Sequence, residues 1–360
     1  MRLIIDSGNL LVSSLVKHFS NMDLEQNISA LVRLNEVLDE KNEELQQVIE
    51  TAYQHNKWFT KENILLSLKN IREQFLDEMK IRAWLSKYDL SAGLYENRVK
   101  QPRNVGIVMA GNIPLVGFHD FLCVFLSGHR ALIKLSSKDD VLFPFILKNL
   151  FEIDDELKHW ISVSEIIKGM EAAIATGSNN SSRYFQYYFG KYPNIIRKNR
   201  SSVAVLNGNE SREDLEKLGL DIFSYFGLGC RNVSKLFVPS AYSFDLFFQS
   251  VEKFSGSMHD HNKYMNNYDY NRVLLLMNQT LFLTNNFLIV KEDEKISSPV
   301  AMLYYEFYSN ENDLMKRLQR DDSNIQCIAG KNFLPFGESQ SPQLDDYADG
   351  ADTMKFLFEL

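Results

Sequence analysis

The run FSYFGLGCRNVSKLFVP holds the residue types best suited to covalent chemistry. Its thiol, Cys230, follows Gly227 and Gly229 and precedes Arg231. Glycines beside a cysteine leave its sulfur open to a substrate, and a neighbouring cation favours the thiolate, the nucleophilic form. Two further cysteines stand in apolar surroundings, Cys123 in DFLCVFLSGH and Cys327 in IQCIAG, so both are expected to be buried packing residues. Cys230 alone also has a structural reading. Polar residues elsewhere in the chain give it a chemical one.

Those residues close three strand-like runs. Gly111-Asn112-Ile113-Pro114 follows NVGIVM, Lys134-Leu135-Ser136-Ser137 ends ALIKLS, and Thr176-Gly177-Ser178 ends AAIATGS. An amide, an ammonium and small hydroxyls at the carboxyl ends of parallel strands are groups that meet a dinucleotide, whose phosphates also suit a helix start. The GxGxxG fingerprint is absent. Taken singly, each run has a loop reading: asparagine for a turn, serine for a cap, glycine for a bend. In order with Cys230, they read as one site. His259-Asp260-His261 offers two imidazoles without a third ligand, so no metal is expected there.

The elements that must position these groups follow from periodicity. From Asn21 to about Tyr88 the chain is charged, free of glycine and proline, and apolar at three- and four-residue steps. That pattern predicts two long amphipathic helices, the second capped by Thr60, with their charges on a solvated face. From Arg103, short strands alternate with helices, which implies right-handed crossovers and a parallel sheet. SKDDVLFPFILKNLF is expected to be a helix opened by Ser136 or Ser137, NNSSRYFQYYFGKY a short helix, and SSVAVLNG a fourth strand. REDLEKLGLDIFSYFG then leads as a helix to Cys230 and a strand over Val233 to Val238. Strands are expected at VLLLMN, FLIV, PVAMLYYEFY and NIQCIAG, before a weakly periodic arm. The fold class is α/β, with a Rossmann-like domain and a second α/β lobe. Expected boundaries are 1–100 (helical, packed on the cofactor domain), 101–205 (dinucleotide-binding), 206–335 (carrying the cysteine) and 336–360 (arm).

Composition narrows the function. A chain of 360 residues can bury a substantial core, and three cysteines do not make a disulfide framework. A net charge of −8 argues against a nucleic-acid-binding surface. The opening MRLIIDSGNLLVSSLVKHF has neither a basic leader nor a long apolar run, and no segment holds a membrane span's worth of uncharged residues. The expectation is a cytoplasmic protein.

The ordered set resembles the aldehyde dehydrogenase superfamily. VGIVMAGNIPLVGFHDFLCVFLSGHRALIKLSS is similar to its strand, Asn-x-Pro turn, helix and lysine-bearing strand. IATGSNNSS is similar to its Thr-Gly-Ser turn, GLGCRNVSKLFVP to its nucleophile loop, and SSPVAMLYYEF and LPFG to later landmarks. Within the superfamily, YADGADTMKFL and the short length most resemble the LuxC-type fatty-acyl reductases. The resemblance implies that Cys230 accepts an acyl group as a thioester, with Asn112 as an oxyanion-hole donor. It also implies that Lys134, Ser136 and Ser137 meet the adenosine ribose, and Thr176, Gly177 and Ser178 the pyrophosphate.

Two departures refine this. Relatives that hydrolyse their acyl-enzyme carry a glutamate in a Glu-Leu-Gly-Gly-Lys run, where this chain has Ile195-Ile196-Arg197-Lys198-Asn199-Arg200. Without a base for water, the thioester survives to meet a hydride donor. NAD-preferring relatives carry a glutamate where this chain has Ser137, beside Lys138, which implies NADPH, with NADH as the alternative. The expected substrate is an acyl-CoA or acyl-carrier thioester. The resemblance further implies a homo-oligomer supplied by an acyl-activating partner protein. An oxidative or CoA-acylating aldehyde dehydrogenase, or a non-catalytic scaffold subunit, are the rival readings.

Overall fold

A computed structural model of the chain describes residues 23–88 and 101–360. The opening stretch read above, and the end of the expected helical region 1–100, lie outside the described residues. Where the periodic sequence predicted two long helices, the chain folds into shorter ones: α1 (Leu24–Val37), α2 (Glu43–His55), α3 (Lys61–Asn70) and α4 (Glu78–Ser86). Asn42 divides the first prediction because its side chain accepts the N–H groups of Glu44 and Leu45 and so starts a new helix. Thr60 caps α3 as expected, accepting from the N–H of Asn63. The apolar stripe holding Leu31, Leu34, Leu45 and Ile49 is buried in the core of the first lobe.

That lobe is built on β1 (Asn104–Val108), β2 (Arg130–Lys134), β3 (Ile161–Val163), β4 (Ala172–Thr176) and β5 (Asn194–Arg197). The strands are parallel throughout, in the order β3-β2-β1-β4-β5. β1 and β4 sit centrally and are covered on both faces, which is why they read as continuous apolar runs. The flanking helices are α5 (Phe118–Leu126), α6 (Leu142–Ile153) and α7 (Asn179–Phe189). Neither Ser136 nor Ser137 opens α6, which starts after Val141 with no side-chain cap and no acidic residue in its first turn. Asp139, within the run read as that helix, lies ahead of it and is used elsewhere, as described below.

The second sheet contains β6 (Ser201–Val205), β7 (Val233–Pro239), β8 (Leu283–Thr284), β9 (Ile289–Glu292), β10 (Met302–Tyr308) and β11 (Ile325–Gly330). Its order is β11-β6-β7-β10-β9-β8, parallel except for β8 against β9. SSVAVLNG is therefore a strand of this second sheet, and the change of sheet falls between Arg197 and Ser201 rather than after residue 205. VLLLMN is a second correction. It finishes the helix Asn262–Met277, and Val273, Leu276 and Met277 are exposed, so no burial pattern marks it as helical. The helix α8 (Arg212–Phe223), opened by a reciprocal cap between Ser211 and Asp214, leads to the Cys230 loop. The carboxyl-terminal arm is more than an appendage. Its helix Thr353–Phe358 buries Met354 and Leu357, and Leu344 and Tyr347 join the same core.

Candidate active site

Because the first sheet is parallel, the carboxyl ends of its strands share one edge. The chain moves from β1 outward to β2 and β3, then returns to place β4 on the other side of β1. The crevice at that reversal is where open α/β sheets bind ligands. The Asn112 loop leaves β1 on one side of it, and Thr176-Gly177-Ser178 leaves β4 on the other.

At the β4 end, Ser178 caps α7 by accepting from the N–H of Ser181 at 3.2 Å. A Cβ at Gly177 would stand 2.8 Å from the Phe185 ring and 2.9 Å from Ser181 Cβ, so only glycine brings the backbone this close to the helix start. Thr176 Oγ1 accepts from Arg197 Nη1 at 3.4 Å. At the β2 end, Lys134 Nζ donates to the Glu165 carbonyl and lies 3.8 Å from the exposed Glu165 carboxylate. Ser136 packs under the Asn112 loop, since a Cβ at Gly111 would meet its Oγ at 2.5 Å. Its Oγ also accepts from the N–H of Lys138 at 3.3 Å. Ser137 and Lys138 are exposed beside it. A helix start, a glycine cradle and an exposed lysine suit a dinucleotide. Glu165 adds a carboxylate to the same edge that the sequence reading did not anticipate.

Asn112 and the Cys230 loop come together. Asn112 Nδ2 donates to the Leu228 carbonyl at 2.8 Å. The Cys230 loop is wound in the left-handed region over Tyr225 (φ 52°), Phe226 (φ 57°) and Gly227 (φ 75°). Such backbone persists only when its surroundings hold it. Asn63 of α3 accepts the N–H of Tyr225 at 3.0 Å. Buried Asn232 accepts from Gly229 N–H at 2.8 Å and donates to the carbonyls of Asp221 and Ser224 at 3.0 and 2.8 Å. Asp221 in turn accepts the N–H groups of Gly337 and Ser339, tying the loop to LPFG. The Asn112 loop is clamped too: Asp139 Oδ2 accepts the N–H of Leu115, itself left-handed at φ 57°, and Ser67 of α3 donates to the Pro114 carbonyl at 2.8 Å. Burial pushes the Asp139 carboxyl up to about 7.

The Cys230 thiol is partly buried, and burial pushes it above the ordinary cysteine value. Arg231 pulls it down without cancelling that effect, while Asp349 and Cys327 push it up further. The expectation that a neighbouring cation would favour the thiolate is thus outweighed. Arg231 Nε donates to the Ser339 carbonyl at 2.6 Å, which commits the guanidinium to the arm. Cys327 is not simple packing either, since its sulfur lies 3.0 Å from Ser202 Oγ, which donates to the Cys230 carbonyl at 3.1 Å. Cys123 is fully buried. A small crevice of about 20 Å³, lined by Phe223, Phe226, Tyr264, Ser234, Ser298 and Val300, lies beside Gly227.

His261 is occupied structurally: Nδ1 accepts from Tyr264 N–H, Nε2 donates to the Lys57 carbonyl, and Trp58 stacks on its ring. Among the described residues no group of three His, Cys, Asp or Glu side chains is placed to hold a metal ion, and no helix is long and apolar enough to cross a membrane. The clamps of Asn63, Asp221, Asn232 and Asp139 escaped the sequence reading. For Asn63 and Asp221 the signal there is a polar residue beside an apolar run, while Asp139 and Asn232 lie among other polar residues.

Comparisons with known proteins bear on the family and the fold. The family described as acyl-CoA reductase (LuxC) matches residues 11–251. No curated protein matches the chain. Among solved structures, aldehyde dehydrogenase 21 from Physcomitrella patens, in complex with succinate, is similar with a TM-score of 0.63 at 13% identity, over 95% of this chain and 85% of that one. A Mycobacterium tuberculosis aldehyde dehydrogenase complexed with NAD+ gives 0.60 at 12% identity, over 89% and 76%. A mutant propionaldehyde dehydrogenase from Clostridium phytofermentans gives 0.56 at 10% identity, over 86% and 78%. The fold is that of the aldehyde dehydrogenases.

Proposed function

The chain belongs to the LuxC family of acyl-CoA reductases, and from that membership we propose that it reduces a fatty acyl-CoA, or another acyl thioester, to the aldehyde through a thioester on Cys230. The observation that supports this reading is the bond from Asn112 to the Leu228 carbonyl, which ties the Asn112 loop to the loop that carries Cys230. Negative charge grows on the acyl oxygen as sulfur attacks, and a fixed N–H donor stabilises it there. The segment 195–200, where hydrolytic relatives carry a glutamate, presents no carboxylate to activate water.

The nicotinamide cofactor, when bound, supplies the hydride. Residues that would hold it are Thr176, Gly177 and Ser178 at the pyrophosphate and Lys134, with Ser136 and Ser137, at the adenosine ribose. We assign NADPH because the hydroxyl of Ser137 and the ammonium groups of Lys134 and Lys138 suit a 2′-phosphate. NADH is the second reading, favoured by the Glu165 carboxylate beside Lys134. Free cysteines fit a reducing compartment, the cytoplasm. A homo-oligomer and an acyl-activating partner protein complete the reading on family grounds.

Incubation with acyl-CoAs of graded length and either NADPH or NADH, following cofactor oxidation and trapping aldehyde, tests the reading. Aldehyde should form and should vanish in Cys230→Ala. Turnover that persists in that variant defeats the assignment.

A further inference from the structure

One helix of the second lobe is apolar on two sides. The helix Asn262–Met277 turns Tyr264, Tyr268 and Asn271 inward, where all three are buried and Asn271 Nδ2 donates to the Val300 carbonyl at 3.0 Å. Tyr270, Val273, Leu274 and Met277 recur at three- and four-residue steps on a second stripe, and all four are exposed. The chain then turns into β8, with Leu281 and Leu283 exposed as well. The turn is fixed by the Thr280 N–H, which donates to the Leu275 carbonyl at 2.9 Å. The Tyr268 hydroxyl meets Thr284 Oγ1 at 2.9 Å, so helix and hairpin form one surface. Met277 is 75% and Leu281 92% exposed. A helix apolar on every side is ordinarily a buried one, and here the outer stripe is uncovered.

The size and charge of this face say what covers it. From their exposed fractions, the six outward side chains present roughly 700 Å², close to the ~800 Å² that each partner contributes to a stable protein interface. Apolar patches of that extent mark contact sites. No Asp, Glu, Lys, Arg or His occurs from residue 273 to 290, in a chain whose net charge is −8. Like-charged copies repel, so an uncharged face is the one through which they can meet. A two-fold contact sets the same patch against itself, which an apolar stripe tolerates and a charged one does not. β8 also ends its sheet among the described residues, leaving an open edge beside the stripe. A lipid surface fits less well. Interfacial helices carry Lys and Arg around the apolar face, whereas the stretch that follows here is Lys291-Glu292-Asp293-Glu294, which anionic leaflets repel.

We propose that a second copy of this chain docks here, the two outer stripes and hairpins packing on each other around a two-fold axis. The inference rests on the homo-oligomer reading above and deepens it by naming the surface.

The test is the solution mass of the full chain by sedimentation equilibrium at up to about 100 μM, above the micromolar end of the affinities that interfaces of this size show. Met277→Glu and Leu281→Lys each place a charge in the patch without entering the core. Met315→Glu does the same at an exposed methionine of the helix Glu311–Asp321 and is the control. Wild type and Met315→Glu should share one mass, a dimer or a multiple of it. Each patch variant should halve that mass, with a dissociation constant raised on the order of 100-fold and an unchanged circular dichroism spectrum. Should Met277→Glu fail to fold, Leu281→Lys decides alone. Folded patch variants that keep the wild-type mass overturn the surface and leave the homo-oligomer reading standing. A wild type that is monomeric throughout overturns both. A monomeric wild type that floats with phosphatidylcholine vesicles, and stops doing so in Leu281→Lys, gives the face to lipid and overturns the proposal. None of these outcomes depends on acyl-CoA turnover, so the acyl reading stands or falls apart from them.

Discussion

Cys230 lies between opposed influences, and their balance sets its reactivity. Burial and the Asp349 and Cys327 groups hold the thiol protonated, while Arg231 and Arg197 favour the anion. The raised value means that alkylation in wild type should still be climbing above the pH at which an ordinary cysteine has levelled off. Asn112 offers an independent check on the same chemistry. Asn112→Ala removes an amide donor, and kcat should fall about 100- to 1000-fold with little change in KM. Asn112→Asp keeps the shape but not the N–H, and should lose nearly as much. A third expectation concerns Asp139, whose carboxyl is pushed up to about 7 by burial. The unfolded chain ionises near the ordinary aspartate value of about 3.9, so between there and about 7 the folded state binds the extra proton. Stability from this group is present at the acid end and is lost as pH rises through the folded value. Asp139→Asn should therefore flatten the decline over that window, measured as the difference in urea midpoints between variant and wild type at each pH.

Helix α3 works at the scale of elements, because one of its faces reaches both the Cys230 loop and the Asn112 loop. Asn63 accepts from the Cys230 loop and Ser67 donates to the Asn112 loop, so the helix sets the spacing between the two loops. Asn63→Ala leaves the buried N–H of Tyr225 without a partner, which costs about 1–3 kcal/mol and frees a left-handed turn to relax. The expected result is a lower denaturant midpoint together with reduced activity, and faster iodoacetamide capture of Cys230 in the native protein. Unchanged capture would separate α3 from the site. None of this was legible in the sequence, where residues 61–70 read as an amphipathic helix and nothing more. Strands β1, β2 and β4 were legible because central strands are continuous apolar runs whose ends carry the polar landmarks. β3 and β5 were not, being short edge strands of mixed character. β6 was recognised as a strand but assigned to the wrong sheet, because sheet membership depends on pairing with β7, which local pattern does not encode.

The whole molecule is drawn together by its last residues. Gly337 and Ser339 bond Asp221 at the end of α8 in the second lobe, Gln340 bonds Asn70 of α3, and Tyr347 accepts from Trp84 Nε1 of α4 at 2.9 Å. Thr353 Oγ1 accepts from the buried Arg197 at 2.9 Å, and Met354 and Leu357 fill the first core. A segment that crosses from one core to the other in this way couples their stabilities, since neither lobe can release it without exposing apolar surface of its own. Met354 is fully buried, and truncating such a side chain to alanine typically costs about 2–5 kcal/mol. Met354→Ala should lower the melting temperature of the whole protein as one calorimetric transition, and activity should decline in step because the same arm holds Arg231 beside Cys230. Two resolved transitions, with the second sheet melting at its wild-type temperature, would show that the arm joins the lobes without coupling them.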